Sequence, residues 1–188
     1  MRPGPRSRAA ARGRRGLLIL ALGLAWAVHA DGQAPPKRLA FDGQILVLAW
    51  QGGAPGETAR EYIPPAEKLE SWTKLASIRE YPKLDDPRAV AANLVRALKQ
   101  QNPAAQSAMI ENPATGEVIV DFVTWPADRA FVEFNIFKYA RKPGGGLVAQ
   151  QYALRDYQDT TGFLRSLGPV RERLVGLMAK EGLRPAPE

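Results

Sequence analysis

Residues 130–157, "AFVEFNIFKYARKPGGGLVAQQYALRDY", constrain the fold more than any other part of the chain. Two runs rich in aromatic and branched residues flank Pro143 and three consecutive glycines. This is the pattern of a long antiparallel hairpin closed by a glycine turn. Strand side chains alternate, so Phe131, Glu133, Asn135, Phe137 and Tyr139 share one face, and Val132, Phe134 and Ile136 share the other. The second set reads as core. The first mixes aromatics with an acid and an amide, as on a sheet face that helices leave partly open.

The rest of the chain supplies further strands. "QILVLAW" (residues 44–50) is a continuous apolar run, "GGAPGE" is a loop, and "TAREYIPP" (58–65) returns until Pro64 and Pro65 stop it. Residues 67–84 fit two patterns. Leu69, Trp72 and Leu75 or Ala76 have helical spacing, but a turn followed by a strand over 73–81, ended by Pro82, is the reading adopted. The clearest helix follows: Asp86 is a capping acid before Pro87, and Val90, Ala91, Leu94 and Leu98 recur at helical spacing until Asn102-Pro103. "AQSAMIE", "NPATGE" and "VIVDFVTW" read as strand, turn and strand.

From Asp159-Thr160 a second helical region carries Phe163, Leu164 and Leu167. It is interrupted at Gly168-Pro169 and resumes through Val170, Leu174, Leu177 and Met178 to Gly182, which predicts two short helices or one kinked helix. Trp50, Trp72 and Trp125 end or begin strands and read as core corners, with Trp72 expected to be the most exposed. No internal repeat is apparent. The order predicts an α+β domain over residues 41–182, a single antiparallel β-sheet of about six to seven strands packed with two to three helices. A disordered polar leader at 31–40 and a flexible tail at 183–188 complete the expected organisation.

The first thirty residues read as a discarded address. Arg2, Arg6, Arg8, Arg12, Arg14 and Arg15 precede an apolar run of twelve residues, 17–28. That run falls short of the roughly 20 residues that span a bilayer, but suits a signal-peptide core. Val28-His29-Ala30 places small residues where a signal peptidase cuts, between Ala30 and Asp31. A retained anchor is the alternative. Arg14-Arg15 faintly matches a twin-arginine signal, although general secretory export to the periplasm is preferred. No cysteine follows the run, which excludes lipoprotein attachment.

Cleavage changes the charge. The whole chain has 26 basic and 19 acidic residues, a net charge of +7. Losing the six leader arginines leaves 20 against 19, a net +1. No basic stripe for nucleic acid then remains, and the membrane is met only through the signal segment before cleavage. His29 is the only histidine and there is no cysteine. The mature chain therefore lacks a histidine triad, a cysteine nucleophile, thiol redox chemistry and zinc sites that need imidazole or thiolate. No cofactor and no metal site is expected, since the capping role of Asp86 accounts for Asp85-Asp86 and "PGGG" lacks the lysine and hydroxyl of a phosphate loop.

Two functional expectations follow. In the first, Phe131, Glu133, Asn135, Phe137 and Tyr139 bind a small ligand or an envelope protein partner, helped by Asp121, Trp125, Gln151 or Arg155 as register allows. The plainer reading of the same face pairs Glu133 with Arg155 or a lysine. In the second, Asp121 and Glu133 form the acid/base pair of a hydrolase acting on envelope glycans, which needs carboxyls roughly 5 to 10 Å apart.

"EYIPPAEKLESWTKLASIREYP", the helix after it and "FVEFNIFKYARKPGGGLVAQQYALRDY" together resemble small uncharacterised exported proteins of Gram-negative bacteria. These are similar to the PsbP-like α/β/α sandwich in architecture. The resemblance covers residues 41–181 and rests on no catalytic motif. It implies an exported, cofactor-free accessory domain without assigned site residues.

Overall fold

The computed structural model describes residues 36–187. Ala30 and Asp31, with the whole expected signal segment, lie outside them. Among the described residues, nine strands form one sheet and two helices cover it. The first four strands are β1 (Arg38–Phe41), β2 (Gln44–Ala54), β3 (Glu57–Ile63) and β4 (Lys74–Tyr81), followed by α1 (Pro87–Gln101). Then come β5 (Gln106–Glu111), β6 (Val118–Thr124), β7 (Val132–Arg141) and β8 (Leu147–Asp156), followed by α2 (Thr160–Lys180) and the two-residue β9 (Arg184–Pro185). The spatial order is β5-β6-β7-β8-β4-β3-β2-β1-β9, and every neighbouring pair is antiparallel. Two four-strand meanders therefore join through β4 and β8, and each is followed in sequence by a helix.

The α+β class and the single antiparallel sheet agree with the sequence pattern; the strand count does not. Two of the extra strands lie at the chain ends, where a disordered leader and a flexible tail were expected. Leu39 and Phe41 of β1 are core residues, 0% and 5% exposed. Asp42 and Gly43 both take positive φ, 51° and 69°, closing a two-residue turn whose twist matches a hairpin. Leu183, 5% exposed, joins the same core and brings β9 alongside β1.

Both faces of the sheet are covered. Asp86 caps α1 by accepting the N–H groups of Arg88 and Ala89 at 2.9 and 3.1 Å, and Pro87 opens the helix where a missing donor is harmless. Ala91 and Leu98 turn inward over Val118, Val120, Phe122, Phe137, Tyr139 and Ala149. On the other face Leu167, Leu174 and Met178 of α2 pack against Ile119, Phe134, Ile136 and Tyr152. α2 is one continuous helix through Pro169, not two. Pro169 and Arg165, the residue whose carbonyl loses its partner, are both exposed, so water can replace the missing donor.

The layers are thus helix, sheet, helix, and β7 is buried on both sides. The expectation of a partly open face along β7 is corrected here. Glu133, Asn135, Phe137 and Tyr139 are 4%, 0%, 3% and 3% exposed, because α1 and the polar pairings described below close that face. Phe131, just before β7, alone of the five stays half-buried.

Candidate functional site

β7 and β8 run in a register that sets Glu133 opposite Arg155 and Phe137 opposite Gln151. A chain of hydrogen bonds follows from it. Gln151 Nε2 donates to Asn135 Oδ1 at 2.8 Å, and Asn135 Nδ2 donates to Glu133 Oε1 at 2.7 Å. Arg155 donates to Glu133 Oε2 from Nε at 2.9 Å and from Nη2 at 2.6 Å. A buried carboxylate needs a counter-charge and donors for its lone pairs, and Glu133 has both.

Arg155 is held as firmly as the acid it neutralises. Its guanidinium carbon lies 3.7 Å from the ring centroid of Trp72 and 3.9 Å from that of Phe131. Delocalised charge over an aromatic face is attracted by the ring quadrupole, more so where water is excluded. Arg155 Nη1 also donates to the Tyr157 hydroxyl at 3.3 Å, which donates to the Trp72 carbonyl at 3.1 Å. This stack reverses the expected order of the tryptophans: Trp72 is 6% exposed and Trp50 is 36% exposed.

Beside this cluster, at the same end of the sheet, lies a cavity of about 270 Å³ between β4, β8 and α2. Lys74, Leu154, Phe163, Leu167 and Val170 form most of its wall, with Thr73, Arg155 and Ser166 at its polar margin. The two hydroxyls are already engaged: Thr73 Oγ1 donates to Glu67 at 2.5 Å, and Ser166 Oγ donates to the Phe163 carbonyl at 3.0 Å. Lys74 is half-buried and has no hydrogen-bond or ion-pair partner among the described residues. Nothing in its sequence neighbourhood singles it out; the approach of α2 does.

The candidate acid/base pair is not brought together. Asp121 is paired with Ile136 across β6 and β7, on the α2 side, whereas Glu133 is paired with Thr124, on the α1 side. Asp121 accepts from Arg171 of α2, Nε at 2.6 Å and Nη2 at 2.8 Å. Each acid is closed by its own arginine, and the sheet separates them. Glu133 does pair with Arg155, as the plainer reading expected, but in a buried setting rather than on a half-exposed face, and Asn135 and Gln151 join the pair. Phe137 and Tyr139 lie under α1, where Phe122, Phe137 and Tyr139 stack in series with centroids 6.0 and 5.9 Å apart. Burial, then the neighbouring Tyr81, pushes the Tyr139 hydroxyl far above its ordinary value.

Fold and site together define a three-layer α+β domain with an apolar, lysine-bearing cavity against an arginine–aromatic cluster. The chain belongs to an uncharacterised protein family, whose model matches residues 33–183. No curated protein matches the chain.

Proposed function

We propose that this chain is an exported, non-catalytic binding domain that takes a small amphiphile with an anionic head at the cavity between β4, β8 and α2. The observation that carries the reading is Lys74, a half-buried cation without a side-chain partner among the described residues, in a wall that is otherwise mainly apolar. A half-buried cation beside apolar surface gains from an opposite charge, so the ligand's head supplies what the protein leaves out. Leu154, Phe163, Leu167 and Val170 favour an aliphatic or aromatic tail, in a volume near the lower end of ordinary ligand sites. Arg155 adds little net charge, because Glu133 already neutralises it.

The sheet-face residues keep a part in this reading. Glu133 and Asn135 position Arg155, and Phe131 and Trp72 clamp it, so the margin of the cavity is rigid before a ligand arrives. Export rests on the arginine-rich, apolar leader and its Val28-His29-Ala30 site, and makes the periplasm the working compartment.

Calorimetric titration with decanoate, and with decanol as the uncharged control, tests the site. Decanoate is expected to bind, decanol to bind at least tenfold more weakly, and Lys74→Gln to remove that preference while leaving the circular dichroism spectrum unchanged. Equal affinity of wild type and Lys74→Gln, or no heat with either probe, would overturn the proposal. Intact mass of the protein recovered from the periplasm tests export separately: a chain starting at Asp31 is expected.

A further inference from the structure

The two edges of the sheet are built differently. One ends in β9, a two-residue strand that contains Pro185, and both features discourage further pairing. The other ends in β5, "QSAMIE", which has six residues and neither proline nor lysine. Its Met109 and Ile110 are 44% and 49% exposed. Exposed strand edges of this kind are templates for a further strand, and natural proteins usually blunt them. The acid that could do so here, Glu111, is tied to Arg88 of α1 at 2.8 Å.

The backbone shows which groups are free. Asn112 donates its N–H to the Glu117 carbonyl at 2.9 Å, so Asn112 bonds toward β6. Antiparallel ladders alternate, so Ile110 and Ala108 also bond toward β6, while Ser107, Met109 and Glu111 turn their N–H and C=O groups outward. We infer that this edge pairs with the β5 edge of a second copy of the chain, antiparallel, about a two-fold axis at Met109.

The strand is self-complementary in that register. Met109 meets Met109 of the second copy in a hydrogen-bonded pair, and Ser107 meets the second copy's Glu111 in another on each side, so a hydroxyl faces each carboxylate. Ala108 falls opposite Ile110 of the second copy on the α2 side. Apolar residues thus meet apolar ones and no charge opposes its like. Centring the axis on Ala108 instead would oppose Ile110 to Gln106 and Met109 to Ser107, and would require the buried Ala105 to face Glu111. The two-fold axis closes the assembly after two copies, leaving the short β9 edges at both ends of a continuous sheet.

The test is the mass in solution of the protein as it accumulates in the producing cell, by light scattering across a dilution series, with amide hydrogen exchange. A concentration-dependent dimer is expected, with slowed exchange at Ser107, Met109 and Glu111. Met109→Pro removes an outward donor that β6 does not use, and is expected to halve the mass without altering the dichroism spectrum. Ser107→Glu sets like charges opposite each other in this register and is also expected to give monomer; adding Glu111→Lys is expected to restore the dimer. If Met109→Pro does not fold, the charge pair decides alone. A wild-type monomer at every concentration, a monomer that instead captures an extended peptide, or a dimer unmoved by Ser107→Glu would each overturn the inference.

Discussion

Asp121 and Glu133 stand on adjacent strands but on opposite faces of the sheet, each gripped by a different arginine. They share no partner, so removing both charges should be the sum of removing each. Asp121→Asn leaves Arg171 in partial contact with water and is expected to cost about 1 kcal/mol. Glu133→Gln leaves Arg155 nearly buried without its counter-charge, and is expected to cost about 3 kcal/mol. In urea unfolding, the double variant should match the sum within about 0.5 kcal/mol. A larger coupling would return the two acids to a common site.

Glu61 and Glu80 should bend the stability profile in opposite directions. Burial pushes Glu61 above its ordinary value of 4.5, against the opposing charges of Arg79 and Arg155. Its contribution is complete below 4.5 and is lost as pH rises through the folded value. Burial also pushes Glu80 upward, but the hydrogen bonds and charges of Lys142 and Arg60 outweigh it and hold the carboxyl below 4.5. That contribution is present above 4.5 and is lost as pH falls through the folded value. Melting temperatures between about pH 3 and about pH 7 are expected to show Glu80→Gln approaching wild type in acid, and Glu61→Gln gaining on wild type toward neutrality. Parallel profiles for the two variants would contradict both assignments.

The glycine turn between β7 and β8 separates two kinds of cost. Gly144 and Gly146 have φ of +87° and +83°, so alanine is strained at either by about 1–2 kcal/mol. A Cβ on Gly144 meets nothing within 4 Å, whereas one on Gly146 would lie 2.9 Å from Pro82 Cα and 3.0 Å from the Tyr81 carbonyl. Gly146→Ala is therefore expected to lower the melting temperature more than Gly144→Ala, because the hairpin must also move off the end of β4. Equal losses would mean that strain alone governs the turn.

Elements that carry their own local signal were legible in the sequence. α1 announces itself through Asp86-Pro87 and an apolar period, and the β7–β8 hairpin through "PGGG". The faces of β7 were also separable by parity, yet their environment was not. Glu133 and Asn135 look like exposed residues because burial of a polar group depends on partners supplied from elsewhere, here Arg155 and Gln151. Lys74 and Trp72 are functional candidates only after α2 and Arg155 have packed beside them. β1 had a usable signal, Asp42-Gly43 between "RLAF" and "QILV", which marks a tight hairpin. β9 had none: two residues beside a proline make a strand only because β1 offers an edge.

That last contact carries a test of its own. Leu183 is anchored twice, by its place in the core beneath α2 and by its N–H donating to Gln150 Oε1 at 2.9 Å. The chain then runs along β1, where the Ala186 N–H donates to the Arg38 carbonyl at 3.1 Å. Leu183→Ala is expected to cost about 3 kcal/mol, as for other buried leucines. Ending the chain at Gly182 should cost more, since it also exposes the outer edge of β1, and amide exchange there should rise before the rest of the sheet opens. A truncated chain as stable as the full one would return residues 183–188 to the role of a loose tail.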